Sequence, residues 1–124
     1  MSKIIIHGGF FSESSTNIET KIAKQQALLR IVKDSYAYLQ NHSALETVVY
    51  AVSQLEDDEL FNAGIGSQIQ SDGKIRMSAS LMDGESKKMS GVINIEEVKN
   101  PILVAQVLMQ VDDRILGGSG ATNF

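Results

Sequence analysis

A helical pattern gives way to a glycine-containing pattern within one segment, Leu55-Glu56-Asp57-Asp58-Glu59-Leu60-Phe61-Asn62-Ala63-Gly64-Ile65-Gly66-Ser67. Its four consecutive carboxylates, Glu56 to Glu59, follow an apolar helical stripe, although the C-terminal end of a helix prefers cations. Gly64 and Gly66 then stand among apolar residues, which indicates a backbone with positive φ or close approach. The segment predicts an ordered irregular loop. Its acidic run is either a solvated turn or a site where carboxylates and helix carbonyls draw a cation.

Two amphipathic helices are predicted before this segment. Ser43 and Glu46 have the spacing of a capping box, in which each side chain bonds the other residue's backbone N–H. The helix that starts there carries the apolar stripe Leu45, Val48, Val49, Val52 and Leu55. Thr16 and Glu19 have the same spacing and predict a helix over roughly 17–40, with the stripe Ile18, Ile22, Leu29, Val32, Tyr36 and Leu39. We expect both helices to lie against one face of a sheet.

Strands are predicted on both sides of these helices. Residues 3–7 are short, β-branched and bounded by two glycines, which is typical of a strand buried on both faces. Asp72 and Gly73 predict a hairpin between strands 67–70 and 75–80. The expected buried residues of this hairpin are Ile69, Ile75, Met77 and Ala79. A further strand at about 89–98 extends the same antiparallel sheet.

The C-terminal third predicts one more helix and one more strand. Asn100 and Pro101 have the pattern of an N-cap and first helical position, and the helix over 102–111 is apolar nearly all round, so we expect it to be buried. Residues 114–116 indicate a short strand that runs into the glycines of 117–120. The sequence then stops without a polar tail, which we take as the sign of a cut chain. The order of elements predicts a mixed α+β fold.

The composition predicts one globular unit. Of the 124 residues 43% are hydrophobic and 21% charged, and the net charge of −4 comes without a basic cluster, so nucleic-acid binding is not expected. The longest apolar run is far shorter than the roughly 20 residues of a membrane span, and we expect no membrane contact. The absence of Cys excludes disulfides and thiolate chemistry and favours a cytoplasmic location.

Side chains that commonly carry chemistry are sparse. His7 and His42 lack a Cys or carboxylate at metal-ligand spacing, and no phosphate-binding glycine motif occurs. Asp83 before Gly84 is typical of a turn rather than of a general base. No serine, histidine and aspartate combine into a triad pattern. From its residues alone, the chain is an α+β unit with a cation-prone acidic loop.

Seven motifs, taken in order, resemble one known family. They lie at residues 4–9, 44–46, 55–67, 71–73, 79–84, 98–102 and 117–121. The chain resembles the N-terminal α subunit of plant-type asparaginase, also called isoaspartyl peptidase, an N-terminal nucleophile hydrolase. The resemblance covers nearly the whole chain, and the stretches 60–67 and 82–84 are its most specific parts.

The resemblance implies an αββα sandwich, in which residues 1–124 form a single unit, the N-terminal (α) half of a precursor that cleaves itself. The family's nucleophile is a Thr at the new N-terminus of the β subunit, and its own amine serves as base, which agrees with the lack of a triad here. The implied substrates are L-asparagine and isoaspartyl dipeptides, and the implied assembly is (αβ)2. Since the family's substrate clamp and oxyanion hole also lie in the β subunit, we expect this chain alone to be inactive.

The family motifs imply three sets of site residues. A structural sodium ion is implied in the stretch 55–65, bound by the main-chain carbonyls of Leu55, Glu56, Asp58, Phe61, Ala63 and Ile65. No organic cofactor is implied. Asn62 matches the Asn that contacts the catalytic Thr, and its alternative role is that of a turn Asn that satisfies local backbone groups. His7, Gly8 and Gly9 match the glycine loop beside the active site.

Departures from the family pattern bear on function. Phe10 and Phe11 follow the glycine loop where the family usually has small residues, so we expect their bulk to reshape the pocket or change its mobility. Ser78 stands where many relatives carry Asp, and the family's α subunit continues beyond the positions of Gly120 and Ala121 into a helix and a linker. Two alternatives stay open. One is hydrolysis of aspartylglucosamine by a glycosylasparaginase, which the missing cysteines and secretory signal disfavour, and the other is a non-catalytic scaffold.

Overall fold

The computed structural model describes residues 1–9 and 17–124. Within these ranges the elements follow in this order: α1 Ile18–Leu39, α2 Ala44–Glu56, a 3₁₀ turn Gly64–Gly66, β1 Met77–Asp83, β2 Lys88–Ile95, α3 Pro101–Leu108, β3 Ile115–Gly117 and α4 Gly118–Asn123. The predicted mixture of helices and a sheet is confirmed. No helix in these two ranges is long and apolar enough to cross a membrane.

The helix α2 begins where its capping box predicts. The Glu46 N–H donates to Ser43 Oγ at 3.1 Å, and the Ser43 N–H donates to Glu46 Oε2 at 2.9 Å. Two backbone donors at the start of the helix are satisfied in this way. The bond from the Ser43 backbone N–H is the main reason that the pKa of Glu46 lies below its ordinary value, followed by the Ser43 hydroxyl.

Glu46→Gln is expected to make the stability of the protein less sensitive to acid. Folding lowers the pKa of Glu46 below 4.5, so the carboxylate stabilises the folded state above that pH, and the contribution is lost as the pH falls through the lowered value. Gln still accepts from Ser43 but does not titrate. Urea unfolding between about pH 3 and pH 7 should show the wild-type advantage in unfolding free energy shrinking as the pH falls. A constant difference would contradict this role.

The helix α1 has the predicted length but buries a different face. Its N-cap is Asn17, whose Oδ1 accepts from the Glu19 N–H at 3.0 Å, whereas Thr16 of the predicted capping box lies outside the described residues. The buried positions are Ala27, Ile31 and Ser35. Four residues of the predicted buried stripe are exposed: Ile18, Ile22, Leu29 and Tyr36. The predicted face is wrong because α1 meets α2 and the 55–67 loop along its other side, and no described element covers the apolar stripe.

The described residues form one sheet of three strands in the order β1-β2-β3. The strands β1 and β2 are antiparallel and joined by a turn at 84–87, while β3 runs parallel to β2. Asp83 closes the turn, since its carboxylate accepts from the Ser86 hydroxyl at 2.6 Å and from the Glu85 N–H at 3.2 Å. The prediction that Asp83 forms a turn is confirmed.

The hairpin predicted at Asp72 and Gly73 is wrong. Gly73 turns the chain with a φ of 81°, but residues 67–70 are not a strand in the described structure. Ile69 and Ile75, which were expected to be buried, are 69% and 38% exposed. The turn at Gly73 was predicted correctly. The strand β1 pairs, however, with β2, which follows it in the chain and whose apolar residues pack under α3.

Residues 3–7, predicted as a buried strand, pair with no strand of the described chain. Ile5 is 94% exposed, and Ile6 packs instead into an apolar cluster of α1 and the loop, made of Ala27, Ile31 and Phe61. A strand needs a neighbour to satisfy its backbone groups. Apolar, β-branched composition alone therefore does not make residues 3–7 a sheet strand in the described part of the chain.

The helix α3 covers the sheet, and two apolar clusters join the layers. One cluster links α2, β1 and α3 through Val49, Leu81, Ile102, Ala105 and Met109. The other links β1, β2, α3 and α4 through Met77, Val92, Ile95, Leu108 and Ala121. The helix α3 thus covers the sheet, and α2 contacts β1 beside it. The helix α1 stacks on α2 further out, which corrects the prediction that α1 lies against the sheet. The outer side of α3, at Leu103 and Val107, is exposed rather than buried.

Ser78 holds an irregularity in the sheet. The register of β1 and β2 shifts between Met77 and Ala79, and Asn94 opposite has a left-handed φ of 55°. The Asn94 N–H donates to Ser78 Oγ at 3.2 Å. The Ser78 hydroxyl thus satisfies the Asn94 N–H, which the bulge leaves without a partner in the hydrogen bonds between β1 and β2. This is a structural role for the serine that stands where the family resemblance leads one to expect Asp.

The glycines of 117–120, into which the predicted strand at 114–116 runs, carry no predicted helix, and the structure forms α4 there, at Gly118–Asn123. Thr122 of α4 accepts a hydrogen bond on Oγ1 from the Glu96 N–H at 3.1 Å, which fastens this short helix to the end of β2. The glycine-rich composition of residues 117–120 hid the helix, since glycine has low helix propensity. Tertiary contact of Ala121 with the sheet core outweighs that propensity.

Candidate functional site

The loop after α2 folds back so tightly that two positions exclude any side chain. A Cβ at Gly64 would lie 2.1 Å from Glu56 O, and Gly64 has a left-handed φ of 55°. A Cβ at Gly66 would lie 2.1 Å from Phe61 O and 2.7 Å from Glu59 O. The close approach inferred from the two glycines is therefore a real feature of this loop. It brings main-chain carbonyls of residues 56–61 against the 3₁₀ turn.

The carbonyls implied as sodium ligands are arranged by short-range hydrogen bonds. Leu55 O accepts from the Asp58 N–H at 3.4 Å and Asp58 O from the Phe61 N–H at 3.2 Å. Phe61 O accepts from the Ala63 N–H at 2.8 Å, and Ala63 O accepts from a later N–H in the same turn. The oxygens of Asp58, Phe61 and Ala63 keep a second lone pair, whereas Leu55 O also accepts from the Asp57 N–H. Over residues 1–9 and 17–124, no group of three or more His, Cys, Asp or Glu side chains is placed to hold a metal. A cation in this loop would therefore depend on main-chain oxygens, which suit a hard ion.

Two basic side chains lie against the acidic run. The Arg30 guanidinium is 3.3 Å from Asp58 Oδ2, and the Lys99 ammonium is 3.4 Å from Asp57 Oδ1. The Asn100 amide also donates to Asp57 Oδ1 at 3.0 Å. The charge conflict at the C-terminal end of α2 is thus reduced by α1 and by the segment before α3. The sequence alone had suggested only solvent or a bound cation.

Glu56 differs from the other acids of the run, because it is buried, with 2% of its surface exposed. Its Oε1 accepts from the Ile102 N–H at 3.0 Å, in the first turn of α3. Its Oε2 is also buried and has no hydrogen-bond partner among the described residues. Burial raises the pKa of Glu56, and the Ile102 N–H and the nearby Asn100 amide oppose that rise.

Sequence reasoning missed the burial of Glu56, although a signal was available. Glu56 continues the apolar helical series of Val49 and Val52 with spacings of three and four residues, so it lies on the inner face of α2. The same finding corrects the prediction for Asn100, whose side chain makes no capping bond in the described structure. The carboxylate of Glu56 takes that place at the start of α3, where a helix N-terminus favours negative charge.

The structure brings residues 7–9 and Asn62 together around one cleft of about 590 Å³. Gly8 packs closely against two side chains there, since a Cβ would lie 2.8 Å from Leu28 Cδ2 and 2.9 Å from Phe61 Cε1. Gly9 turns away with a φ of 88°. The two motifs are more than fifty residues apart in sequence, so their meeting is a result of the fold. Lys24 of α1 also lines the cleft, and sequence reasoning did not single it out.

Asn62 lies exposed on the wall of this cleft, and its side chain is held in place by the loop. Asn62 Oδ1 accepts from the Gln68 N–H at 2.9 Å. This is the local backbone contact of the turn-Asn interpretation, and it coexists with a position on the cleft. The NH₂ of the side chain is then the group that Asn62 offers to a ligand. Phe10 and Phe11, the departures expected to reshape the pocket, lie outside the described residues.

Comparison with known proteins identifies the family. The sequence model of the asparaginase family matches residues 1–124, so the chain belongs to that family. The resemblance inferred from the seven motifs is therefore confirmed.

Curated relatives carry the same names. A Synechocystis protein named isoaspartyl peptidase/L-asparaginase is 47% identical over 124 residues, covering 98% of this chain and 37% of the relative. A plant-type L-asparaginase of Thermococcus kodakarensis is 39% identical over 126 residues, covering 100% of this chain and 40% of the relative. An isoaspartyl peptidase of Salmonella typhimurium is 37% identical over 125 residues, with 98% and 40% covered. The chain thus spans 37–40% of the length of these three relatives.

Three glycine-to-alanine substitutions, two in the 55–67 loop and one outside it, distinguish the cost of backbone strain from the cost of a steric clash. Gly73→Ala has a positive φ but open space, and we expect a loss of about 1–2 kcal/mol. Gly66→Ala has no positive φ but meets two carbonyls, and we expect a loss of about 3 kcal/mol. Gly64→Ala combines both effects and should lower the unfolding free energy by more than about 4 kcal/mol.

Chemical unfolding of the three variants measures this order. Gly73→Ala is the matched control, because it places the same strain in a turn remote from the cleft. Equal losses at Gly64 and Gly73 would show that the main-chain carbonyl of Glu56 moves away easily, and that the loop is less tightly folded than its geometry indicates.

Proposed function

We propose that this chain is the N-terminal α subunit of an autoprocessed amidohydrolase that cleaves L-asparagine to aspartate and ammonia, or isoaspartyl dipeptides at their β-linked bond. Family membership and the names of the relatives support the class of reaction. The observation that carries the proposal is the cleft in which Asn62 faces His7, Gly8 and Gly9.

In this proposal the nucleophile belongs to the β subunit, as the hydroxyl of an N-terminal Thr whose amine serves as base. This chain supplies positioning. Because Asn62 Oδ1 is engaged by the Gln68 N–H, its NH₂ points a donor at an oxygen atom of the nucleophile or substrate. The cleft wall of residues 7–9 lacks side chains at Gly8 and Gly9, so ligand and backbone can approach closely there.

A second sheet, as in an αββα sandwich, would cover the outer face of the described sheet. This face is apolar and exposed at Met82, Met89, Ile93 and Ile115. A contiguous apolar face of this kind is typical of an interface. The exposure supports a β subunit that packs sheet on sheet, and the (αβ)2 assembly and a cytoplasmic location remain predictions of the same proposal.

The test is an intact mass spectrum of the denatured complete protein, followed by substrate assays. Autoprocessing requires a second polypeptide that begins with Thr. Release of ammonia from L-asparagine and of aspartate from a β-aspartyl dipeptide then decides between the two substrate classes. Absence of the second chain, or no hydrolysis of either substrate, would contradict the proposal and leave a non-catalytic scaffold. Hydrolysis of aspartylglucosamine alone would indicate a glycosylasparaginase.

Asn62→Ala in the complete protein is expected to lower kcat by about a hundredfold, because one preorganised donor contributes on that scale. Its melting temperature should fall by only a few degrees, since Asn62 is exposed and loses one bond to Gln68. Steady-state kinetics and thermal unfolding measure the two effects. Asn41→Ala, an exposed Asn in the turn after α1, is the control and should change neither. Loss of stability in Asn62→Ala without loss of kcat would show that Asn62 is only a turn residue.

We also propose that the loop holds a sodium ion through the carbonyls of the six residues named above. The convergence of carbonyls around Gly64 and Gly66 supports this, since hard oxygen ligands suit a hard cation. A bound ion would neutralise carbonyl dipoles and stiffen the loop that carries Asn62.

Replacing sodium by choline at equal ionic strength should lower the melting temperature of the complete protein by several degrees, because only the folded loop binds the small ion. Differential scanning calorimetry measures the change, and titration with NaCl should restore the original value. Gly64→Ala should be insensitive to the exchange. An unchanged melting temperature in choline would remove the ion from the proposal.

A further inference from the structure

Glu56 occupies a joint between the loop and α3. Its backbone lies against Gly64, where a Cβ would come within 2.1 Å of Glu56 O and 2.6 Å of Glu56 Cβ. Its side chain runs in another direction and accepts the Ile102 N–H at 3.0 Å. One residue therefore contacts the 3₁₀ turn of the loop with its main chain and binds the first turn of α3 with its carboxyl group.

Stability alone would favour an apolar residue at this position. Glu56 is 2% exposed, it continues an apolar helical series, and its Oε2 has no partner in the part of the chain that the structure describes. A buried carboxyl group whose second oxygen has no partner within bonding distance among the described residues, although the Asn100 amide lies nearby, is unfavourable compared with a well-packed hydrocarbon side chain of similar volume. A polar residue at such a buried position is expected where it positions another group of functional importance.

The neighbouring acid shows that the joint has a second, exposed connection. Asp57 accepts from the Asn100 amide at 3.0 Å and lies 3.4 Å from the Lys99 ammonium, both just before α3. Asp57 therefore makes an exposed contact from the end of α2 to this segment, beside the buried bond of Glu56. What Glu56 adds is a connection to Gly64, two residues after Asn62.

We propose that Glu56 is a positioning residue: its carboxyl group, fixed by the Ile102 N–H, holds the 55–67 loop so that Asn62 faces the cleft. The role rests on the proposed function, because Asn62 is the group that acts on the nucleophile or substrate there. Glu56 lines a second, smaller cleft of about 380 Å³. Asn62 lines both clefts, whereas Glu56 does not line the larger one that holds residues 7–9. It does not touch the reacting atoms.

Two variants of Glu56 test the proposal in the complete protein. Glu56→Gln keeps an acceptor for the Ile102 N–H, whereas Glu56→Leu keeps the volume and removes the acceptor. We expect Glu56→Leu to lower kcat at least tenfold with KM within about threefold of wild type, and Glu56→Gln to restore kcat to within about threefold. A general loss of stability does not produce this split or this rescue.

Hydrogen exchange gives a readout that does not depend on activity. The Gln68 N–H donates to Asn62 Oδ1, so its exchange rate reports whether Asn62 is held. Below the melting transition, exchange at Gln68 should be at least about tenfold faster in Glu56→Leu and near wild type in Glu56→Gln. Leu108→Ala, a fully buried residue of α3 that faces the sheet, is the control for destabilisation. It should lower the melting temperature and leave kcat and Gln68 exchange unchanged.

The outcomes separate this proposal from the proposed function. If the wild-type protein hydrolyses neither substrate, the proposed function fails, and the exchange of Gln68 still shows whether Glu56 holds the loop. If Glu56→Leu keeps wild-type kcat and Gln68 exchange, or if Glu56→Gln is as impaired as Glu56→Leu, the positioning role is overturned.

Discussion

The hydrogen bond from the Ile102 N–H to the buried carboxyl group of Glu56 joins the end of α2 to the start of α3, and both the loop and the sheet depend on that joint. A bond to a carboxylate contributes about 1.5–3 kcal/mol, and its removal leaves a buried backbone donor unsatisfied. On one side, the main chain of Glu56 lies against Gly64 and sets the path of the loop. On the other side, α3 carries Ile102, Ala105 and Leu108 into the two clusters that cover the sheet.

The described part of the chain leaves two apolar surfaces without a partner, the outer face of the sheet and the outer stripe of α1. The chain also spans only 37–40% of the length of the three relatives compared above. Both facts fit the proposal of an α subunit. Its sheet would pack against a second sheet, and its cleft would supply Asn62 to a nucleophile carried by another chain. In this proposal the substrate would bind in the same cleft at which the two subunits meet.

Predictions that depended on neighbours in sequence were mostly right. The capping box of Ser43, the turn at Asp83 and the extent of α1 follow from residues a few positions apart. Predictions about partners were often wrong. Asp72 and Gly73 turn the chain without making a hairpin, and residues 3–7 pair with no described strand. Whether a segment finds a strand beside it, or a helix over its apolar face, is decided by distant parts of the chain.

By itself the sequence determined the family, through motifs along nearly the whole chain. It also determined the helix cap at Ser43, the turns and the two glycines that the loop requires, because each of these local features depends on residue types within a few positions of one another. Only the tertiary structure decided that Glu56 is buried on Ile102, 46 residues away, and that residues 7–9 meet Asn62 at one cleft. It also decided that Arg30 and Lys99 lie against the acidic run. Such contacts arise from the packing of whole helices against the sheet. A local sequence pattern contains no information about which distant residue a side chain will contact.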